Sequence, residues 1–181
     1  MKIIDCDIPG PKIIEPKVFG DERGFFLESW NRETLSTEGL PAEFVQDNHS
    51  RSQAGVLRGL HFQNPNPQGK LVRVTSGAVY DVVVDLRKSS QHFGRWAGVE
   101  LSAENKRMFW VPEGFAHGFL TLRDDTDFLY KCTSKYAPEN EHSLAWDDAE
   151  IGIEWPLGDL KPIVSEKDQR GQSLREVAVF Q

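Results

Sequence analysis

Gly55-Val-Leu-Arg58-Gly-Leu-His61-Phe-Gln63 is the stretch on which the reading of this chain turns. Residues 56–63 form a short β-rich run, opened by a glycine six positions before a histidine. A second stretch, Pro112-Glu-Gly-Phe-Ala-His117, sets another histidine just behind a Pro-x-Gly turn. Outward from these two, similar runs separated by Gly, Pro, Asn and Asp occupy 12–19, 24–30, 43–48, 70–75, 78–86, 96–102, 107–111, 115–122 and 127–133. Ser76-Gly77, between two of the runs, reads as a tight hairpin turn. Helical signals are confined to 31–37 and the tail after Ser165. Many short strands with few helices describe a sandwich, a barrel or a jelly roll, and periodicity alone does not choose among them.

A length of 181 residues fits one domain, 1–181, able to bury a substantial core. The net charge of −7 argues against a nucleic-acid-coating surface, so an anionic small ligand would need a local cluster of Arg and Lys. Asp5 and Asp7 stand where a signal peptide would need an apolar run, and no later stretch approaches membrane-spanning length. Cys6 and Cys132 are too few for a disulfide framework and lack metal-type spacing. As ordinary thiols they fit a reducing compartment, so a cytoplasmic protein with neither nucleic-acid nor membrane partners is expected.

The two histidine contexts together resemble the paired motifs of the cupin jelly rolls, whose barrel interior usually holds a metal. That resemblance implies an all-β fold, a cupin-type jelly-roll barrel with short peripheral helices. The chain departs from the metal-binding pattern at one informative place. Where metal cupins carry a second histidine two residues after the first, this sequence has Gln63, and 64–69 supply no glutamate. An open catalytic metal site needs about three good protein ligands, and His61 with His117 falls short. The expectation is a barrel with no metal and no cofactor, running proton chemistry. No glycine-rich dinucleotide fingerprint lies between a strand and a helix, in agreement.

A closer likeness emerges from the motifs in order. They are Phe19-Gly-Asp-Glu-Arg23-Gly-Phe-Phe26-Leu-Glu28, Phe44-Val-Gln46-Asp-Asn48, the 56–63 run, Gly69-Lys70-Leu-Val-Arg73, Val111 to Phe119, Phe128-Leu-Tyr130-Lys and Ser165-Glu-Lys-Asp168. On this ordered set, spread over nearly the whole chain, the sequence resembles the dTDP-4-dehydrorhamnose 3,5-epimerases, metal-free cupins of L-rhamnose biosynthesis. Two places depart from that family's pattern. His142-Ser-Leu144 stands where a Gly-Ile-type segment usually precedes the tryptophan, and Gln172 where a proline is common.

The resemblance implies a dTDP-4-keto sugar inverted at carbons 3 and 5, both next to the ketone, so that loss of either proton gives an enolate. It implies His61 as general base, since imidazole titrates near neutrality. Asp168 would hold the ring in one tautomer, although Ser165-Glu-Lys-Asp168 also reads as a helix cap. Tyr130 would return a proton to the opposite face of the sugar; on composition alone it is a half-buried strand tyrosine. Lys70 would stabilise the enolate oxygen, although by composition it is an exposed lysine after a Pro/Gly-rich loop. Arg23 and Arg58 would hold the diphosphate, since guanidinium pairs with phosphate through parallel hydrogen bonds. Glu28, Gln46 and Asn48 would add polar contacts, Phe26 would stack on thymine, and His117 would line the pocket or sit as a satisfied core histidine. The 23–28 segment would arrive from a neighbouring subunit, which implies a homodimer.

Arg58 and His61 are three apart, so strict alternation points them to opposite faces of a strand. Both can enter one pocket only if the strand bulges, and Gly59 is the residue that permits it. Alternatives are a single-site sugar-nucleotide 3-epimerase, a metal-dependent cupin enzyme using His61 and His117, and a sugar-binding cupin without catalysis.

Overall fold

The computed structural model describes residues 1–40 and 43–181. The strands are β1 (Lys2–Asp5), β2 (Lys12–Glu15), β3 (Val18–Asp21), β4 (Gly24–Leu27), β5 (Gln46–Ser52), β6 (Val56–Gln63), β7 (Lys70–Ser76), β8 (Ala78–Asp85), β9 (Trp96–Ser102), β10 (Met108–Val111), β11 (Phe115–Thr121), β12 (Thr126–Cys132), β13 (Glu141–Ser143) and β14 (Ile163–Val164). Two short helices accompany them, α1 (Arg32–Thr37) and α2 (Glu166–Gln169). One sheet runs β1-β2-β10-β7-β12-β5, the other β13-β6-β11-β8-β9 with β14 added in parallel to β6, and β3-β4 forms a separate hairpin. This is the expected all-β jelly roll with short peripheral helices. Among the described residues no helix is long and apolar enough to cross a membrane.

The two large sheets share an inner core. Val72 and Val74 of β7, Val79 and Val83 of β8, Phe119 of β11 and Phe128 of β12 meet there. The alternate residues of the same strands face outward and are covered in turn. Val82 and Val84 pack under Leu144, Leu174 and Val177 from the C-terminal part. Leu71 packs under Leu35 of α1. β8 therefore reads as a nearly continuous apolar run, because both of its faces are buried.

Several boundaries differ from the sequence reading. The 12–19 run divides at Pro16-Lys17, where a residue without an N–H cannot continue the ladder. The 43–48 run is displaced. β5 starts at Gln46, and its polar sequence, QDNHSRS, hid a strand fully paired to β12. Ser76-Gly77 is not a hairpin, because β7 and β8 belong to different sheets and the chain crosses between them there. Gly77 takes φ +72°, and a Cβ on it would lie 2.1 Å from Thr126 Oγ1, so the glycine signals a tight corner rather than a reversal. Both predicted helices form. Asn31 Oδ1 accepts from the amides of Glu33 and Thr34 at the start of α1, and Ser165 caps α2.

Candidate active site

The pocket begins with the irregularity in β6. Opposite β11, His61 pairs with His117 and Arg58 with Phe119, so Gly59 and Leu60 together face Gly118 alone. That is a bulge. Gly59 has φ +107°, and a Cβ there would lie 2.6 Å from the His117 carbonyl and 2.7 Å from Gly118 Cα. The extra residue turns Arg58 and His61 into the same cavity, of about 540 Å³, as the spacing of these two residues required.

His61 is 27% exposed and its Nε2 lies 2.5 Å from Asp168 Oδ1. Asp168 is only 4% exposed, and its second oxygen accepts the Gly59 amide at 3.3 Å. Two elements deliver it. β14 pairs with the start of β6, and Ser165 then caps α2 by accepting the Asp168 amide at 3.2 Å. The cap and the dyad are therefore both present, because the backbone of Asp168 serves one and its carboxylate the other. Burial raises the Asp168 carboxyl, but the hydrogen bond and charge of His61 and the Gly59 amide outweigh it, leaving the group below the usual carboxylate range. A carboxylate on Nε2 fixes the N–H there and leaves Nδ1 as the basic nitrogen.

Lys70 and Tyr130, from the other sheet, also line the cavity, as does His117 of β11, which stands beside His61. Lys70 is buried, not exposed as its loop context suggested, because even-numbered residues of β7 point inward. Among the described residues no acidic side chain lies within 4.0 Å of its ammonium, and burial holds that group below the usual lysine value. Burial likewise pushes the Tyr130 hydroxyl up. The stacked rings of Phe119 and Phe128, 4.1 Å apart, line the apolar side. His117 is buried and its Nε2 lies 2.9 Å from Asp81 Oδ1; burial drives the ring towards its neutral form. His117 is thus both a pocket residue and a satisfied core histidine.

Arg58 lines the cavity and donates to Ser52 Oγ at 3.2 Å. Gln46 and Asn48 share the face of β5 on which Ser50 borders the cavity, and Gln46 Nε2 donates to Asn48 Oδ1 at 3.0 Å. Arg23, Phe26 and Glu28 are not brought to this cavity. They lie on or just after the β3-β4 hairpin, where Phe26 is 70% exposed, Arg23 pairs with Asp21 and Glu28 accepts from Asn31.

A resident metal does not suit these side chains. The pocket offers two histidines, short of the roughly three protein ligands that an open catalytic metal site needs. Gln63, at the place of a metal ligand, instead binds loops through the Asn66 carbonyl and the Ala137 amide. Among the described residues no three His, Cys, Asp or Glu side chains converge. Asp81, Glu141 and Lys167 escaped the sequence reading. Asp81 could have been found as a lone charge inside the apolar run Val79-Tyr-Asp81-Val-Val-Val; Glu141 and Lys167 carry no such signal.

Fold and site together define a cupin barrel whose cavity is lined by His61, Asp168, Lys70, Tyr130, Arg58 and His117. Residues 5–176 match the family described as dTDP-4-dehydrorhamnose 3,5-epimerase. Proteins of that name from Salmonella typhimurium and Pseudomonas aeruginosa are 58% and 53% identical, over 93% and 99% of this chain and 92% and 99% of theirs. A solved dTDP-6-deoxy-D-glucose-3,5-epimerase from Legionella pneumophila, in complex with dTDP-4-keto-L-rhamnose, superposes with a TM-score of 0.94 at 52% identity, covering 98% of this chain and 94% of its own. The chain belongs to the dTDP-4-dehydrorhamnose 3,5-epimerase family and is an isomerase.

Proposed function

We propose that the protein inverts carbons 3 and 5 of dTDP-4-dehydro-6-deoxy-D-glucose to give dTDP-4-dehydro-L-rhamnose, a step of dTDP-L-rhamnose formation. The observation that carries this reading is the His61–Asp168 pair opening onto the cavity that also holds Tyr130 and Lys70. His61 Nδ1 takes the proton from the carbon beside the ketone, and the C–H electron pair moves onto the carbonyl oxygen as an enolate. Asp168 stabilises the imidazolium so formed. The buried Lys70 ammonium is available to neutralise the oxygen. Tyr130 then delivers a proton to the other face of the carbon, and the enolate collapses to the inverted ketone.

Arg58, Gln46, Asn48 and His117 are assigned to substrate binding. Arg23, Phe26 and Glu28 complete the nucleotide end from a second copy, in a homodimer. Their distance from the cavity of their own chain and the exposure of Phe19, Phe25 and Phe26 support that arrangement. A cytoplasmic setting fits a nucleotide-sugar substrate and two free thiols. Proton NMR of the nucleotide sugar after incubation tests the reading: the L-rhamno configuration is expected, and inversion at carbon 3 alone, or none, contradicts it.

A further inference from the structure

Gln63 has no role in the mechanism above, yet it is only 3% exposed and stands two residues after His61, on the same face of β6. Both of its polar atoms are engaged. Nε2 donates to the Asn66 carbonyl at 2.8 Å and to the Lys135 carbonyl at 3.3 Å, and Oε1 accepts the Ala137 amide at 2.9 Å. The first partner lies in the loop that leads to Lys70; the other two flank Tyr136 in the connection from β12 to β13. One side chain therefore grips that connection on both sides of a single residue. The residue so held donates its own amide to Gln46 Oε1 on β5, at 2.8 Å.

A side-chain amide has nearly the same shape either way round, so its partners alone decide which end is the oxygen. The Tyr136 N–H can only donate, so it fixes Oε1 of Gln46 towards itself and Nε2 towards Asn48. Nε2 donates to Asn48 Oδ1 at 3.0 Å, and Asn48 Nδ2 in turn to Cys132 Sγ at 3.6 Å. A hydrogen-bond chain of one polarity thus runs along the face of β5 that borders the cavity. We propose that Gln63 is a positioning residue for substrate binding: by clamping 135–137 it places the donor that orients Gln46 and Asn48. At the place that a metal cupin gives to a second histidine, this chain keeps a buried polar group, and that group arranges amides instead of a cation. With the clamp removed, the Tyr136 amide moves with its loop and both side chains are free to turn over.

The inference rests on the epimerase reading, so wild-type turnover of the keto sugar is measured first; its absence defeats that reading rather than this one. With an active wild type, Gln63→Met keeps the bulk and removes all three bonds, while Gln63→Glu keeps the acceptor for Ala137 and loses both donors. Each should raise KM for the nucleotide sugar and Kd for dTDP by about tenfold. Their kcat should stay within about threefold of wild type, because His61, Asp168, Lys70 and Tyr130 are untouched. The route through Gln46 is read from a double-mutant cycle. Gln46→Ala alone should raise KM by about tenfold, but by no more than about twofold in the Gln63→Met background, where the oriented amide is already lost. Additive effects, about a hundredfold in the double variant, overturn the proposal. Wild-type KM and Kd in either folded variant overturn it too, whatever the melting temperature, and so does a loss of kcat at unchanged KM.

Discussion

Asp168 Oδ1 meets His61 Nε2 at 2.5 Å across 107 residues of sequence, and the same carboxylate receives the amide of Gly59, the residue that bulges the strand bearing His61. One buried anion thereby fixes both the tautomer of the ring and the backbone that aims it. Asp168→Asn should lower kcat by about 10²–10⁴-fold, because an amide can hold the ring in the wrong tautomer and cannot balance the imidazolium. Steady-state kinetics check it; a change within threefold would detach Asp168 from the chemistry.

Gly59→Ala places a methyl 2.6 Å from the His117 carbonyl on a backbone at φ +107°. Positive φ and the clash each cost about 1–3 kcal/mol, so a loss of at least about 2 kcal/mol is expected in urea unfolding. Turnover of the folded fraction should drop as well, since Arg58 and His61 would no longer share a cavity. Wild-type stability would mean that the bulge is not built as described.

The basic side of the pH profile should belong to Lys70. Its ammonium must stay charged to neutralise an enolate, and burial holds it below the usual lysine value. Turnover is therefore lost as pH rises through that lowered value. Tyr130, pushed up by burial, still carries its proton there. Lys70→Met should reduce kcat by about 10²–10³-fold. Lys70→Arg, charged at all working pH, should be slower than wild type yet flat on the basic side. A basic limb unchanged in Lys70→Arg would assign it to another group.

The β3-β4 hairpin carries exposed Phe19, Phe25 and Phe26 in a chain whose other large apolar residues are mostly buried. Sedimentation of the wild type should give a dimer. Arg23→Ala and Phe26→Ala should each weaken dTDP binding by about tenfold or more while leaving the His61 cavity intact, as the proposed shared site requires. A monomer with full dTDP affinity would contradict the shared site.

Most of the candidate site was legible through the ordered motifs that carry the family resemblance: a histidine behind a glycine-bearing strand, a lysine opening the next, and the Phe128-Leu-Tyr130-Lys segment. The spacing of Arg58 and His61 even called for the bulge at Gly59. Turn chemistry was less informative, since Gly77 suits a hairpin and a sheet-to-sheet corner equally well. β5 was misplaced because an edge strand polar on both faces lacks the apolar alternation that marks a strand. Glu141 and Lys167 were invisible because their pairing joins β13 to α2 through tertiary contact alone.

The base is tested most directly by solvent exchange. In D₂O the wild type should place deuterium at carbons 3 and 5 of the recovered nucleotide sugar, read by NMR and mass. His61→Asn should slow incorporation at both positions by about 10²–10⁴-fold, with dTDP affinity unchanged. Incorporation by His61→Asn at the wild-type rate, or a loss of dTDP binding in step with the loss of exchange, would contradict His61 as the proton-abstracting group.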